Sequence, residues 1–103
     1  MSRLQQLESM LDPDRPDAFL LFAIAKEHEK LEDDATALTY YEQLRATDEQ
    51  YVGLYYHLGK LHERQGNDTD ALAAYDKGIE VARAAGDRHA EGELAMARME
   101  LED

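Results

Sequence analysis

The sequence predicts an all-α fold of paired helices, and three observations predict it. The chain repeats itself at a spacing of 34 residues, and its apolar residues recur at the three-and-four spacing of a helix face. Its glycines, prolines and acidic residues fall where one helix would end and the next begin.

Set one period apart, residues 22–44 (FAIAKEHEKLEDDATALTYYEQL) and 56–78 (YHLGKLHERQGNDTDALAAYDKG) share seven of 23 residues without a gap. The identities pair Lys26 with Lys60, His28 with His62, Glu29 with Glu63, Asp34 with Asp68, Ala37 with Ala71, Leu38 with Leu72 and Tyr41 with Tyr75. Two copies of one unit are therefore present.

In chain order, SRLQQLESML places Leu4, Leu7 and Met10 34 residues before Leu38, Tyr41 and Leu44, so it reads as the second helix of a degenerate preceding unit. DPDRPD then breaks the helix, because proline cannot continue one and restricts the residue before it. Residues 17–31 put Leu20, Leu21, Ile24, His28 and Leu31 on one face, and 35–46 do the same with Leu38, Tyr41 and Leu44. The second copy predicts helices at 51–65 and 69–85. Between them, Gly66 suits a left-handed helix end, and Asn67 and Asp68 offer side-chain oxygens to the next helix. Gly86 then ends a helix and Asp87 caps the last one, whose stripe is Ala90, Leu94, Ala97 and Leu101. Its other positions are mostly polar, as a terminal capping helix requires. The expected organisation is a single domain over 1–103, with an N-terminal helix and linker (1–16), two repeats (17–50 and 51–86) and a capping helix (87–103).

A chain of 103 residues suits one domain with a modest core. It contains no cysteine, which excludes disulfides, thiolate metal sites and cysteine nucleophiles and fits a reducing cytoplasm. The longest apolar run, AFLLFAIA at 18–25, is far short of a bilayer span. Acidic residues outnumber basic ones 23 to 11 for a net charge of -12, which repels nucleic acid and anionic lipid surfaces.

The order Tyr55, Leu58-Gly59, Ala71, Tyr75 and Gly78, on this period of paired helices, closely resembles the tetratricopeptide repeat. Leu21, Ile24-Ala25, Ala37 and Tyr41 hold the same places in the first copy. The resemblance covers about residues 17–85 and implies a solenoid of helical hairpins, an alpha-alpha superhelix, used for protein binding without catalysis or cofactor. In such a pair, small Ala25, Ala37, Gly59, Ala71 and Gly78 admit close backbones beside Tyr41, Tyr55 and Tyr75. The chain departs from the family in carrying His28 and His62 where tyrosine is usual, in having no proline at the close of either unit, and in a longer helix after Ala71.

His28 and His62 invite a metal reading, but two histidines do not complete a zinc site and H-E-x-x-H spacing is absent; they read as core histidines. DPDRPD and NDTD lack the glycine and terminal glutamate of a calcium loop and read as turns and caps. No nucleophile elbow, phosphate loop or dinucleotide fingerprint occurs.

With Leu20, Leu21, Ile24 and His28 facing inward, helix geometry turns Phe19, Phe22, Lys26 and Lys30 outward, and Tyr56, His57, Lys60 and Arg64 in the second copy. The resemblance makes that surface the concave one, where a peptide or helix of a partner docks. Four basic side chains in an acidic molecule point to an acidic or carboxylate-ended partner. The alternative is that these cations only balance Glu27, Glu29, Glu32 and Glu63 on a solvated face. Chaperone-clamp positions hold Phe22, Lys26, His57, Ala90 and Leu94, of which Lys26 alone matches. The second functional class is a structural homo-oligomer, a homodimer in the simplest case, formed through the end surfaces that so few repeats expose.

Seven arginines against four lysines, with acids dominant, also fit a protein kept soluble in concentrated salt. Thermal denaturation should then show stability rising from dilute buffer to molar salt, and a flat dependence removes that reading.

Overall fold

The computed structural model describes residues 2–102, and among them it shows six helices and no strand. The expected outer bounds, residues 1 and 103, lie outside the described residues. The chain divides into two compact units, Met1–Glu49 and Gln50–Asp103. The first holds α1 (Arg3–Met10), α2 (Ala18–Lys30) and α3 (Asp34–Thr47); the second holds α4 (Gly53–Arg64), α5 (Asp68–Ala85) and α6 (Arg88–Glu102).

Four of the six helix starts, those of α1, α2, α3 and α6, follow short side chains that bond the first free amides. Ser2 and Gln5 form a reciprocal capping box on α1. Asp17 accepts from the Leu20 amide at 3.0 Å, Asp33 from Thr36 at 3.2 Å, and Asp87 from Ala90 at 3.0 Å. The α5 start differs from expectation: Asn67 holds the cap position but makes no side-chain capping bond, and its backbone carbonyl accepts from the Ala71 amide at 2.9 Å. Asp68 is already inside α5, where its charge favours the positive helix end.

Helix ends close by one device used after α2, α4 and α5, the last with Asp87 donating to Ala82 at 2.9 Å and Gly86 to Arg83 at 3.1 Å. The Asn67 amide donates to the His62 carbonyl at 2.8 Å and Gly66 to Glu63 at 3.0 Å, with Gly66 left-handed at φ 77°. One period earlier Asp33 donates to His28 at 2.9 Å and Glu32 to Glu29 at 2.9 Å. There the left-handed position belongs to Glu32, at φ 61°. A side chain in that region costs roughly 1 kcal/mol, which the two backbone bonds offset. Leu31, expected on the apolar face, is the residue just past α2 and is exposed, because the helix has ended before its face can turn inward.

In the first unit Leu21, Ile24, Ala25, Ala37, Tyr41 and Leu44 are buried completely between α2 and α3. Leu38 is only half-buried, at the edge of that face. α1 contributes no buried residue. The second unit buries Leu54, Tyr55, Leu58, Leu61, Ala71, Tyr75 and Ala82, and α6 adds Leu94 and Ala97. The far side of α6 is less polar than expected, since Met96 and Met99 are 63% and 66% exposed.

The small residues act as close-approach points. A Cβ on Gly59 would overlap the ring of Tyr75, and one on Gly78 would lie 2.5 Å from Tyr55 Cβ and 3.0 Å from the Leu94 methyls. Glycine inside a helix costs about 1 kcal/mol relative to alanine. Burying a large neighbouring side chain returns about 1.5–3 kcal/mol, so packing wins. A Cβ on Gly92 in α6 would meet open space. Gly59→Ala should therefore destabilise the protein by about 1–3 kcal/mol through overpacking, while Gly92→Ala stabilises it by about 0.5–1 kcal/mol. Thermal melts of the two variants check this, and equal shifts in the same direction contradict it.

Candidate functional site

Each hairpin is fixed by the same buried tyrosine. Tyr41 on α3 donates its hydroxyl to Glu29 on α2, and Tyr75 on α5 donates to Glu63 on α4. Both tyrosines are sealed from solvent, so each hydroxyl satisfies its donor through a carboxylate instead of water. Desolvation, followed by the bond to Glu63 and its charge, pushes the Tyr75 hydroxyl well above the usual tyrosine range. Glu29 and Glu63 are thus tied to the core, with Lys60 Nζ a further 3.7 Å from Glu63.

In the first unit, the four expected contact residues sit on α2. Phe19 is 69% exposed, and Lys26 and Lys30 are also exposed. Lys30 Nζ lies 3.8 Å from Glu27, which also pairs with Arg3 of α1 at 2.9 Å. Phe22 is half-buried, its ring tilted against Tyr41 at 6.3 Å.

In the second unit, Tyr56, His57 and Lys60 are brought together on α4. The Tyr56 and His57 rings meet edge to face at 5.6 Å, and Lys60 Nζ stands 5.6 Å from the centre of the Tyr56 ring. Arg64 is exposed one turn further on and does not line the groove that these residues form.

That groove runs between α4 and α6. It comprises two depressions of about 350 Å³ and 200 Å³ that share Tyr56 and Glu93. The larger is floored by Val52, Gly53, Ala90 and Leu94, with His57 and His89 at its rim; the smaller is bounded by Lys60, Met96, Ala97 and Glu100. Arg98 holds α6 in place, donating to Asp76 of α5 at 2.5 Å and to Glu102. Beyond Ala90 and Leu94, the α6 wall carries no residue that the sequence marks as a site. Its signal was Glu93, Met96 and Glu100 recurring along one helix side, a pattern that acquires meaning only once α6 lies beside α4.

The two repeated histidines belong to the interior. His62 is 9% exposed, and His28 stacks on Tyr40 at 5.4 Å with Nδ1 3.8 Å from Asp33. His28 Nε2 and His62 Nδ1 have no hydrogen-bond partner among the described residues. No group of three or more histidine, aspartate or glutamate side chains that could hold a metal occurs among those residues. None of the described helices is long and apolar enough to cross a membrane.

Residues 52–84 match the tetratricopeptide repeat family. The chain is similar to a tetratricopeptide repeat domain protein from Salinibacter ruber, whose crystal structure is 45% identical over 84% of this chain and 96% of that one, with a TM-score of 0.80. A solution structure of such a protein from the same organism is also 45% identical, over 88% of this chain and 90% of that one, with a TM-score of 0.81. The solution structure of BPP2914 from Bordetella parapertussis is 26% identical over 98% of this chain and 88% of that one, with a TM-score of 0.84. No curated protein matches.

The raised Tyr75 hydroxyl fixes the sign of a pH effect. Unfolded tyrosine ionises near pH 10, the folded one only at higher pH, so its contribution to stability is complete below about pH 10 and is lost as pH rises further. Chemical denaturation at rising pH should show stability falling in that window, with a shallower fall in Tyr75→Phe. At neutral pH the variant should lose about 1–3 kcal/mol for the missing bond to a carboxylate.

Proposed function

We propose that this chain, which belongs to the tetratricopeptide repeat family, is a non-catalytic adaptor that binds a peptide or helix of a protein partner. Folds of this family serve generally as protein-interaction modules. The observation that carries the reading here is the α4–α6 groove, where Val52, Ala90, Leu94 and the Tyr56 ring supply apolar surface and Lys60, Glu93 and Glu100 supply charge beside it. Tyr56, His57 and Lys60 line it, and Phe19, Phe22, Lys26 and Lys30 are proposed as contact residues of the first unit. The proposal of an acidic partner rests on Lys26, Lys30, Lys60 and Arg64, four of the eleven lysines and arginines of a chain with a net charge of -12.

Exposed Met99, with exposed Met96 at the edge of the groove, favours a second reading as a self-associating protein. Lys26→Glu with Lys60→Glu should keep the helical circular dichroism spectrum and weaken binding of the partner captured from native lysate by at least about tenfold. Retained binding puts the contacts elsewhere. A sedimentation mass that stays monomeric across concentration leaves the adaptor, and one that saturates at a dimer favours assembly.

A further inference from the structure

The groove has one basic wall residue and one acidic wall. On α4 the Lys60 ammonium is engaged by Glu63 at 3.7 Å and by the Tyr56 ring at 5.6 Å. Across from it, α6 presents Glu93 and Glu100 on either side of Met96. Glu100 has no ion-pair partner among the described residues, and Glu93 faces only His89, whose Nε2 lies 3.5 Å away in an 87% exposed side chain. Neither arginine of α6 lines this wall: Arg98 pairs with Asp76 and Glu102, and Arg88 is absent from the lining of both depressions. The chain as a whole carries a net charge of -12, which draws cationic partners toward it before contact.

We infer that the 200 Å³ depression between α4 and α6 is an anchor site for an arginine of a partner peptide, with a neighbouring apolar side chain of that peptide seated over Leu94 and Ala90 in the 350 Å³ depression. The inference rests on the adaptor reading but departs from its acidic partner: in the groove of the second unit the occupant is basic, so Lys60→Glu alone should strengthen binding of this arginine where the acidic reading has it weaken. A planar guanidinium forms paired hydrogen bonds to one of these two carboxylates, which lie two turns apart on α6, while the other adds its field. Its methylene stem lies along Met96 and Ala97, with the Tyr56 ring, already engaged by Lys60, closing the far side. Lysine offers a point charge without that fork, so arginine is the preferred occupant. Charge complementarity selects this occupant over an acidic segment, which would meet Glu93 and Glu100 at close range.

Nuclear magnetic resonance titration of the purified 103-residue chain tests this, with a short peptide of alanine, leucine and arginine and with versions carrying lysine, glutamine or glutamate in place of arginine. The arginine peptide should shift the Met96 methyl and the Tyr56 and Ala97 amides, bind more tightly than the lysine version, and leave the glutamate version without effect. Glu93→Gln with Glu100→Gln should weaken it at least about tenfold, whereas Glu32→Gln with Glu80→Gln, of the same net charge, should not. Equal loss in both double variants means diffuse attraction to an acidic chain and overturns the anchor. Equal binding of the glutamine peptide at the same resonances overturns the arginine preference but keeps the groove. Tighter binding of the glutamate peptide reverses the partner's sign. No shift at these resonances with any peptide overturns both the anchor and the groove.

Discussion

The contact between a glycine and a tyrosine ring governs the second unit. Tyr75 can lie flat against α4 only because residue 59 has no side chain, and Gly78 lets Tyr55 and Leu94 close on α5 from two sides. Once the backbones are that near, the tyrosine hydroxyl has a single outlet, and Glu63 provides it. Removing the close approach would lift the ring, strand the hydroxyl and loosen α6 through Leu94, so three consequences follow from two missing side chains. The groove between α4 and α6 exists because these helices are both held against α5.

Charge is distributed by task. Some of the many acids are structural: Asp17, Asp33 and Asp87 bond helix amides, and Glu29 and Glu63 receive tyrosine hydroxyls. Others remain on the surface with no such duty, Glu100 among them, and these give the molecule its field. Exposed pairs such as Arg45 with Glu42 add at most about 1 kcal/mol each. Stability therefore rests on burial and caps, while the uncommitted carboxylates are available for recognition.

Most of the architecture was legible in the sequence because it is periodic. Spacing alone located the hairpins, and the identities between copies located Ala37, Ala71, Tyr41 and Tyr75, all of which are buried. Terminal details were less legible. Asn67 has the right chemistry for a cap but not the side-chain bond, because the turn directs its amide to His62 and its carbonyl to Ala71. Leu31 fits the helical stripe by spacing yet lies past the helix end. Glu29 and Glu63 looked like surface counter-charges, since nothing in a linear pattern says that a carboxylate twelve positions before a tyrosine will meet its hydroxyl. The site was legible only on its α4 side. Glu93, Met96 and Glu100 belong to a helix outside the repeat, with no second copy to compare against, so their neighbourhood had to come from three-dimensional packing.

The left-handed turn after α2 and its counterpart after α4 share the same pair of backbone bonds although one holds Glu32 and the other Gly66. A joint written in the main chain does not need its side chain to be inherited. Such a hinge-free elbow can be copied by gene duplication and then diverge at that position, each daughter hairpin keeping its angle while its residues drift. The glutamate and the glycine show that the angle of this elbow is set by its two backbone bonds and not by the side chain at its left-handed position.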